Sequence, residues 1–418
     1  MKKLLLVLTL FLTPASAWAQ CNGVFANNTV CGNITGSSNL PRPTNPSAFL
    51  GAAGGTNGQI QYNNSGALGG LTDTQVTARI AGFTSSLSGA VPASGGGTVN
   101  FLRADGTFAP PTSTAAVTLP QGRITLTSGT PITTTDVTGA TTVYYTPYYG
   151  TNVLVYNGTN YISANFASEM SVALGANWLT NTNYDWFIGY DGTTLRFCTG
   201  PAWSSAVLRG TGAGTTELTQ VSGLYLNANS ITCRYGNSST FTCSTQRCSY
   251  LGTMRTTGAG QAEDSNAKRF IYNTFNQVPR QMLVVEPTAS WNYSTANYQQ
   301  ANASSANQLA YIAGLTGSTL TANVTTVVLN STSTPRIVYA GIGLDSTSVN
   351  SRTTSGFARI GDSTLSSPGG PTAQYSGYTQ LGYHTVVWLE KGAGTDIQTW
   401  FGVSGSDYQT GISGTIFQ

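Results

Sequence analysis

The sequence predicts an all-β protein, and three observations carry that expectation. Strand-favouring Thr, Tyr, Val, Ile and Trp alternate with turn-forming Gly, Asn and Ser over most of the 418 residues. Two turn dipeptides, Asn157-Gly158 and Asp191-Gly192, sit between apolar runs, as the tips of β-hairpins do. In residues 56–70 and again in 93–108, apolar side chains come singly between Gly, Asn and Ser. A lone copy of such a segment buries no core of its own and needs sister chains to cover its faces. The expected architecture is an extended N-terminal arm and slender shaft, then β-sandwich or jelly-roll-like domains, in a trimer.

Composition narrows the function classes. Asp, Glu, Lys and Arg make up 8% of the chain, against roughly 25% in an ordinary soluble domain. Hydrophobic residues reach 40%, so disorder is not the default. A net charge of +3, with no cluster of Lys and Arg beyond the first residues, gives no electrostatic footprint for nucleic acid. The 49 glycines lack a Gly-X-Y period, which excludes collagen.

Residues 1–19 have the form of an export leader: basic Lys2-Lys3, apolar Leu4 to Leu12, and Ala17-Trp18-Ala19 before Gln20. The apolar run is shorter than the ~20 residues that span a bilayer, and no other segment reads as transmembrane. Cys21 invites a lipoprotein reading, but Trp18-Ala19-Gln20 fits such a site poorly. Six cysteines in an exported chain point to disulfides. Proximity favours Cys21 with Cys31 and Cys243 with Cys248, leaving Cys198 for Cys233. There is no C-x-x-C pair and His384 is the lone histidine, so neither a metal nor a cofactor is expected.

Along the chain, residues 20–50, with Pro41, Pro43 and Pro46, read as an attachment arm. Residues 51–118 hold the two fibre-like segments. Between these, Val76, Ile80, Phe83 and Leu87 recur with heptad-like spacing, fit for a short bundle or one amphipathic turn. Residues 119–250 form a β-rich middle domain. Its Arg123 to Thr127 alternate as a half-buried strand, and its hairpins turn at Asn157-Gly158 and Asp191-Gly192. Residues 251–418 form a C-terminal β-sandwich with strands at Met282 to Val285 and Ile337 to Leu344. There, His384 to Glu390 and Asp396 to Val403 are expected to pair across the turn at 391–394. Asn266 to Asn276 offer a helix.

Several segments resemble a known group. Gly58 to Asn64 and Phe101 to Thr107 are similar to shaft segments of tail-fibre and other appendage proteins of tailed bacteriophages. Leu119 to Tyr161, with Gly129-Thr130-Pro131 and Tyr144-Tyr145-Thr146-Pro147-Tyr148, resembles a module of phage virion structural proteins. So do Tyr250 to Thr257, Glu263-Asp264-Ser265, Gly341 to Thr347 and Gly382-Tyr383-His384. The resemblance implies a homotrimeric virion appendage, joined to other virion proteins by its arm, that contacts bacterial surface glycans. A leader and disulfides depart from a virion protein assembled in the cytoplasm. That leaves room for a purely structural virion decoration or collar component, or for a secreted bacterial surface or polymer-forming protein using a phage-type β module.

Catalytic patterns are sparse. His384 opens an apolar strand and reads as a hydrogen-bonded or interfacial residue rather than a triad base. Ser404 falls one residue short of a nucleophile elbow. Asp185 with Asp191, and Glu263 with Asp264, could serve glycoside hydrolysis. However, Asp191 is explained by its turn, and Glu263 and Asp264 by helical pairing with Lys268 and Arg269. Gly210 to Gly214 is a loop rather than a nucleotide cradle. No catalytic residue is expected.

Sugar binding is the activity the composition favours, because flat rings stack on pyranoses while amides and hydroxyls meet their hydroxyl groups. With 21 Tyr and 7 Trp the rings are abundant. The candidates are Tyr144, Tyr145, Tyr148, Tyr149, Trp178, Trp186 and Trp203, and the competing role for each is core or interface packing. Trp291, Trp388 and Trp400 read as core.

Overall fold

A computed structural model describes residues 30–32, 42–44, 59–64, 67–79, 100–104, 107–109, 119–157, 159–351, 354–361, 368–404 and 407–418. The leader, Cys21 and its expected bond to Cys31, and Ile80, Phe83 and Leu87 lie outside these residues. The chain divides into two compact units, 1–113 and 114–418.

Within the first unit the described strands are short hairpins: Val30–Gly32 with Arg42–Thr44, Ile60–Asn64 with Ala67–Leu71, and Phe101–Leu102 with Phe108–Ala109. Ile60 is 57% and Phe101 60% exposed, as expected of two-stranded ribbons. A seven-residue helix, Asp73–Arg79, follows the second hairpin. Thr72 and Gln75 close its start with reciprocal bonds: Gln75 N–H donates to Thr72 Oγ1 at 3.3 Å, and Thr72 N–H to Gln75 Oε1 at 2.9 Å.

The second unit is almost wholly strand. Its longest sheet runs in the order Thr240–Cys243, Ile231–Arg234, Leu195–Ala202, Asn183–Tyr190, Ser249–Gly258, Gln261–Asp264, Lys268–Arg269, Gln308–Ala313, Gly382–Lys391, Arg336–Leu344 and Phe357–Ile360. The boundary expected between residues 250 and 251 falls inside the ten-residue strand Ser249–Gly258, which belongs to this continuous sheet. A second sheet orders Pro279–Val285, Gly411–Phe417, Thr319–Thr325, Thr372–Tyr378 and Thr354–Ser355.

Among the described residues four apolar clusters hold the unit together, two of them large. Trp178, Trp186, Tyr145, Phe197 and Met254 are buried in one, where Trp186 stacks on Phe197 at 4.2 Å between centroids. In the other, Leu309, Ile342, Val386 and Trp388 of the long sheet meet Met282, Leu320, Ile412 and Ile416 of the second sheet. Alternate residues of these strands point inward because the side-chain period of a strand is two. Disulfides join Cys198 to Cys233 and Cys243 to Cys248.

Four expectations are corrected. Asn266 to Asn276 form no helix but the strands Lys268–Arg269 and Ile271–Asn273. The charges that resembled helical pairs are tied around a turn, Lys268 to Glu263 at 3.1 Å and Arg269 to Asp264 at 3.2 Å. His384 to Glu390 do not pair with Asp396 to Val403. The strand Gly382–Lys391 lies between Gln308–Ala313 and Arg336–Leu344, while Gln398–Phe401 joins Ser290–Asn292 and Val327–Asn330. Finally, the strand Gly122–Thr125 is buried on both faces rather than half-buried. Arg123 survives there because its guanidinium donates to the carbonyls of Pro131, Asn276 and Gln418. Burial lowers its pKa to about 10.

Candidate functional site

The two legible hairpins build a cleft at their tips. Asn152–Tyr156 pairs with Tyr161–Asn165, and Asn183–Tyr190 with Leu195–Ala202, so each first strand ends in a tyrosine directly before its turn. Tyr156 and Tyr190 line a cavity of about 260 Å³ together with Ile162, Asn157, Thr242, Ser244 and Arg247. Tyr190 is 39% exposed. Tyr156 rests on Tyr161 at 5.1 Å between centroids, and Tyr161 O–H donates to the Val221 carbonyl at 2.7 Å, which fixes that pair. The opposite wall is the strand Thr240–Cys243 and the loop after it, at the edge of the long sheet. Partly exposed rings, an aliphatic patch, an amide, two hydroxyls and a guanidinium therefore converge on one concave surface.

This cleft contains none of the seven ring residues singled out from sequence. Trp178, Trp186 and Trp203 are buried and cannot meet a sugar face. Trp178 instead supports the wall of a larger cavity of about 580 Å³, its Nε1–H donating to the lining Thr199 Oγ1 at 3.1 Å. Tyr145 is buried, and its hydroxyl accepts from Gly122 N–H. Tyr144 is half-buried on the strand Thr142–Pro147. Tyr148 and Tyr149 do come together at 4.3 Å between centroids, with Tyr149 72% exposed, as an aromatic pair on an open surface. Trp388 and Trp400 are buried core and Trp291 is half-buried beside Trp388. The signal for Tyr156 and Tyr190 was present: a tyrosine immediately preceding each turn dipeptide.

The suspected carboxylates are internally committed. Asp185 is fully buried and takes Arg209 Nε at 2.6 Å, with Thr216 and Thr253 donating to it as well. Burial opposes the charge of Arg209, but Asp185 and Tyr250 hold its pKa above the usual arginine value. Asp191 pairs with Arg196 at 2.6 Å. Asp264 is shared by Arg269 and Arg280. His384 has the orienting carboxylate of a triad, Asp345 at 2.7 Å from Nδ1, but Nε2 faces the Leu381 carbonyl at 3.0 Å. With an acceptor facing each ring nitrogen, neither is left open toward a serine hydroxyl. Burial works against the imidazolium charge, yet Asp345 and Leu381 raise the histidine pKa.

A further carboxylate was not foreseen. Glu390 is fully buried and accepts from Trp291 Nε1 at 2.7 Å, Gln299 Nε2 at 2.8 Å and Asn302 N–H at 3.0 Å. Burial pushes it up to about 7 despite these donors, with Glu286 adding to the rise. Glu286 is also buried, but donors at Thr288 and Asn307 keep it below the usual carboxylate range. A pair with pKa values driven apart is an acid–base signature only where substrate can reach it. Neither residue lines the cavities above. Among the described residues no cluster of His, Cys, Asp and Glu could hold a metal ion, and no helix is long and apolar enough to cross a membrane.

No protein-family model and no curated protein matches this sequence. Among solved structures, the insecticidal delta-endotoxin Cry8Ea1 of Bacillus thuringiensis aligns over 71% of this chain and 52% of its own, at 7% identity and a TM-score of 0.20. The mosquito-larvicidal Cry4Aa toxin of the same organism aligns over 66% and 49%, at 8% identity and a TM-score of 0.18. The chain thus spans about half the length of these structures, and scores this low carry no argument about fold or function.

Proposed function

We propose that this protein is a phage-type virion appendage that adheres to bacterial surface glycans, with the hairpin-tip cleft as its sugar site. The observation that carries the reading is the convergence of Tyr156, Tyr190, Asn157, Ser244 and Arg247 on one concave surface. A pyranose offers an apolar face for a ring and hydroxyls for amides and hydroxyl groups, and this cleft holds both. Weak single-site binding becomes useful adhesion when several copies act together, through effective concentration. A trimer would supply those copies, and the exposed Ile60 and Phe101 of the shaft-like hairpins favour sister chains covering them. The jelly-roll-like form of the outer part belongs to the same proposal. The test is binding of the full chain to a glycan array and to whole bacterial envelopes. Saturable binding that Tyr156→Ala/Tyr190→Ala strongly weakens is expected, and no binding to any glycan or envelope would end the reading.

One observation favours a second reading, an exported bacterial surface protein built on a phage-type module. The disulfides Cys198–Cys233 and Cys243–Cys248 suit an oxidising compartment. Mass spectrometry of the mature protein separates the two. Loss of residues 1–19 outside cells that hold no virion favours export, and an intact leader in purified virions favours the appendage.

A further inference from the structure

Arg247 differs from Arg196, the cation on the second hairpin, which is neutralised by Asp191 at 2.6 Å. Arg247 lines the cleft and forms no ion pair with a carboxylate among the described residues. With Asp191 committed to Arg196, the cleft is left with an uncompensated positive charge beside two tyrosines.

The loop that carries this charge, the four residues between Cys243 and Cys248, is fixed with unusual thoroughness. The Cys243–Cys248 disulfide closes it. Beneath it lies fully buried Asn227, whose Nδ2 donates to the Ser244 carbonyl at 2.8 Å and whose Oδ1 accepts from Cys248 N–H at 2.9 Å. The Asn227 carbonyl in turn accepts from Gln246 N–H at 2.9 Å, which holds Gln246 at a left-handed φ of 60°. The backbone of Arg247 therefore has little freedom, and ordering its side chain on a ligand costs correspondingly less.

We propose that Arg247 makes the cleft selective for anionic sugars, its guanidinium fork taking a carboxylate or sulfate oxygen pair while a tyrosine holds the ring. Planar bidentate pairing with such anions is the recognition that arginine performs and lysine does not. The Cys243–Cys248 loop acts as the positioning element. The proposal rests on the reading of this cleft as a sugar site.

The test is binding of the full chain to three matched probes: uronic-acid oligosaccharides, their neutral methyl esters, and sulfated galactan. At least a tenfold preference for either anion over the ester supports the proposal, and the two anionic arms show which group is taken. Arg247→Gln should erase that preference by weakening the anionic probes at least tenfold more than the neutral ester, and Arg247→Lys should restore only part of it. Opening the loop by Cys243→Ser/Cys248→Ser should weaken the preference as well, and salt should lower it. Equal binding of acid and ester by the native chain, or a preference untouched by Arg247→Gln, overturns the proposal while leaving the sugar site standing. Failure of every glycan to bind overturns both.

Discussion

The hairpin-tip cleft and the interior around Glu390 are built from the same kinds of residues, rings with amides and hydroxyls, and use them in opposite ways. Around Glu390 the donors of Trp291, Gln299 and Asn302 are consumed by the protein itself. At the tips, Tyr190 is 39% exposed and Arg247 has no carboxylate partner among the described residues. In a chain with so few charges, recognition is expected where polar and aromatic groups remain unspent. Substitutions in the committed interior should therefore move stability, and those at the tips should move binding.

The largest effect belongs to the interior. Asp185→Ala leaves Arg209 buried without its carboxylate, so a loss of about 3–5 kcal/mol is expected in chemical denaturation. A change below 1 kcal/mol would show that water reaches Arg209 and that the interior is less committed than described.

The disulfides of the described residues sharpen the contrast. Cys198–Cys233 spans 35 residues and Cys243–Cys248 only five. Loop-closure entropy then assigns about 2–4 kcal/mol to the long link and less to the short one. Paired Ser variants, compared by thermal unfolding, should rank in that order, with the short link felt more in ligand binding.

Glu390 gives the interior a pH signature. Its folded pKa of about 7 exceeds the ordinary value of 4.5, so the folded state binds the proton more tightly. Its stabilising contribution is complete below about pH 4.5 and is lost as the pH rises through about 7. The expected total is up to about 3 kcal/mol. Glu390→Gln should flatten unfolding free energy across that window, and an unchanged slope would show that the group stays ionised through its three donors.

The smallest stability effect is expected at the tips. Tyr190→Ala and Tyr156→Ala should each weaken sugar binding by about 1 kcal/mol, roughly fivefold or more. Tyr190→Ala, as an exposed substitution, should shift stability by no more than about 0.5 kcal/mol. Paired titration and melting curves check both halves.

Local chemistry was legible in the sequence and non-local pairing was not. Asn157-Gly158 and Asp191-Gly192 announced their hairpins because those residues suit the φ values that tight turns require. The partners of Gly382–Lys391, in contrast, lie tens of residues away, at Gln308–Ala313 and Arg336–Leu344, and no local pattern encodes that choice. Glu263, Asp264, Lys268 and Arg269 imitated helix spacing because a tight turn also brings such charges together. Rings were harder still. Trp186 and Tyr190 lie four residues apart on one strand, yet one is core and the other cleft, since burial depends on which layer covers the strand end. Arg123 escaped detection for a related reason: its compensating groups are backbone carbonyls, which leave no trace in residue type.

A structure of the full chain with its tightest-binding saccharide would test the sugar site most directly. The pyranose ring should lie within van der Waals distance of the Tyr156 or Tyr190 ring, between those hairpins and the 243–248 loop. A saccharide seated instead on the Tyr148–Tyr149 pair, with the cleft empty, would contradict it.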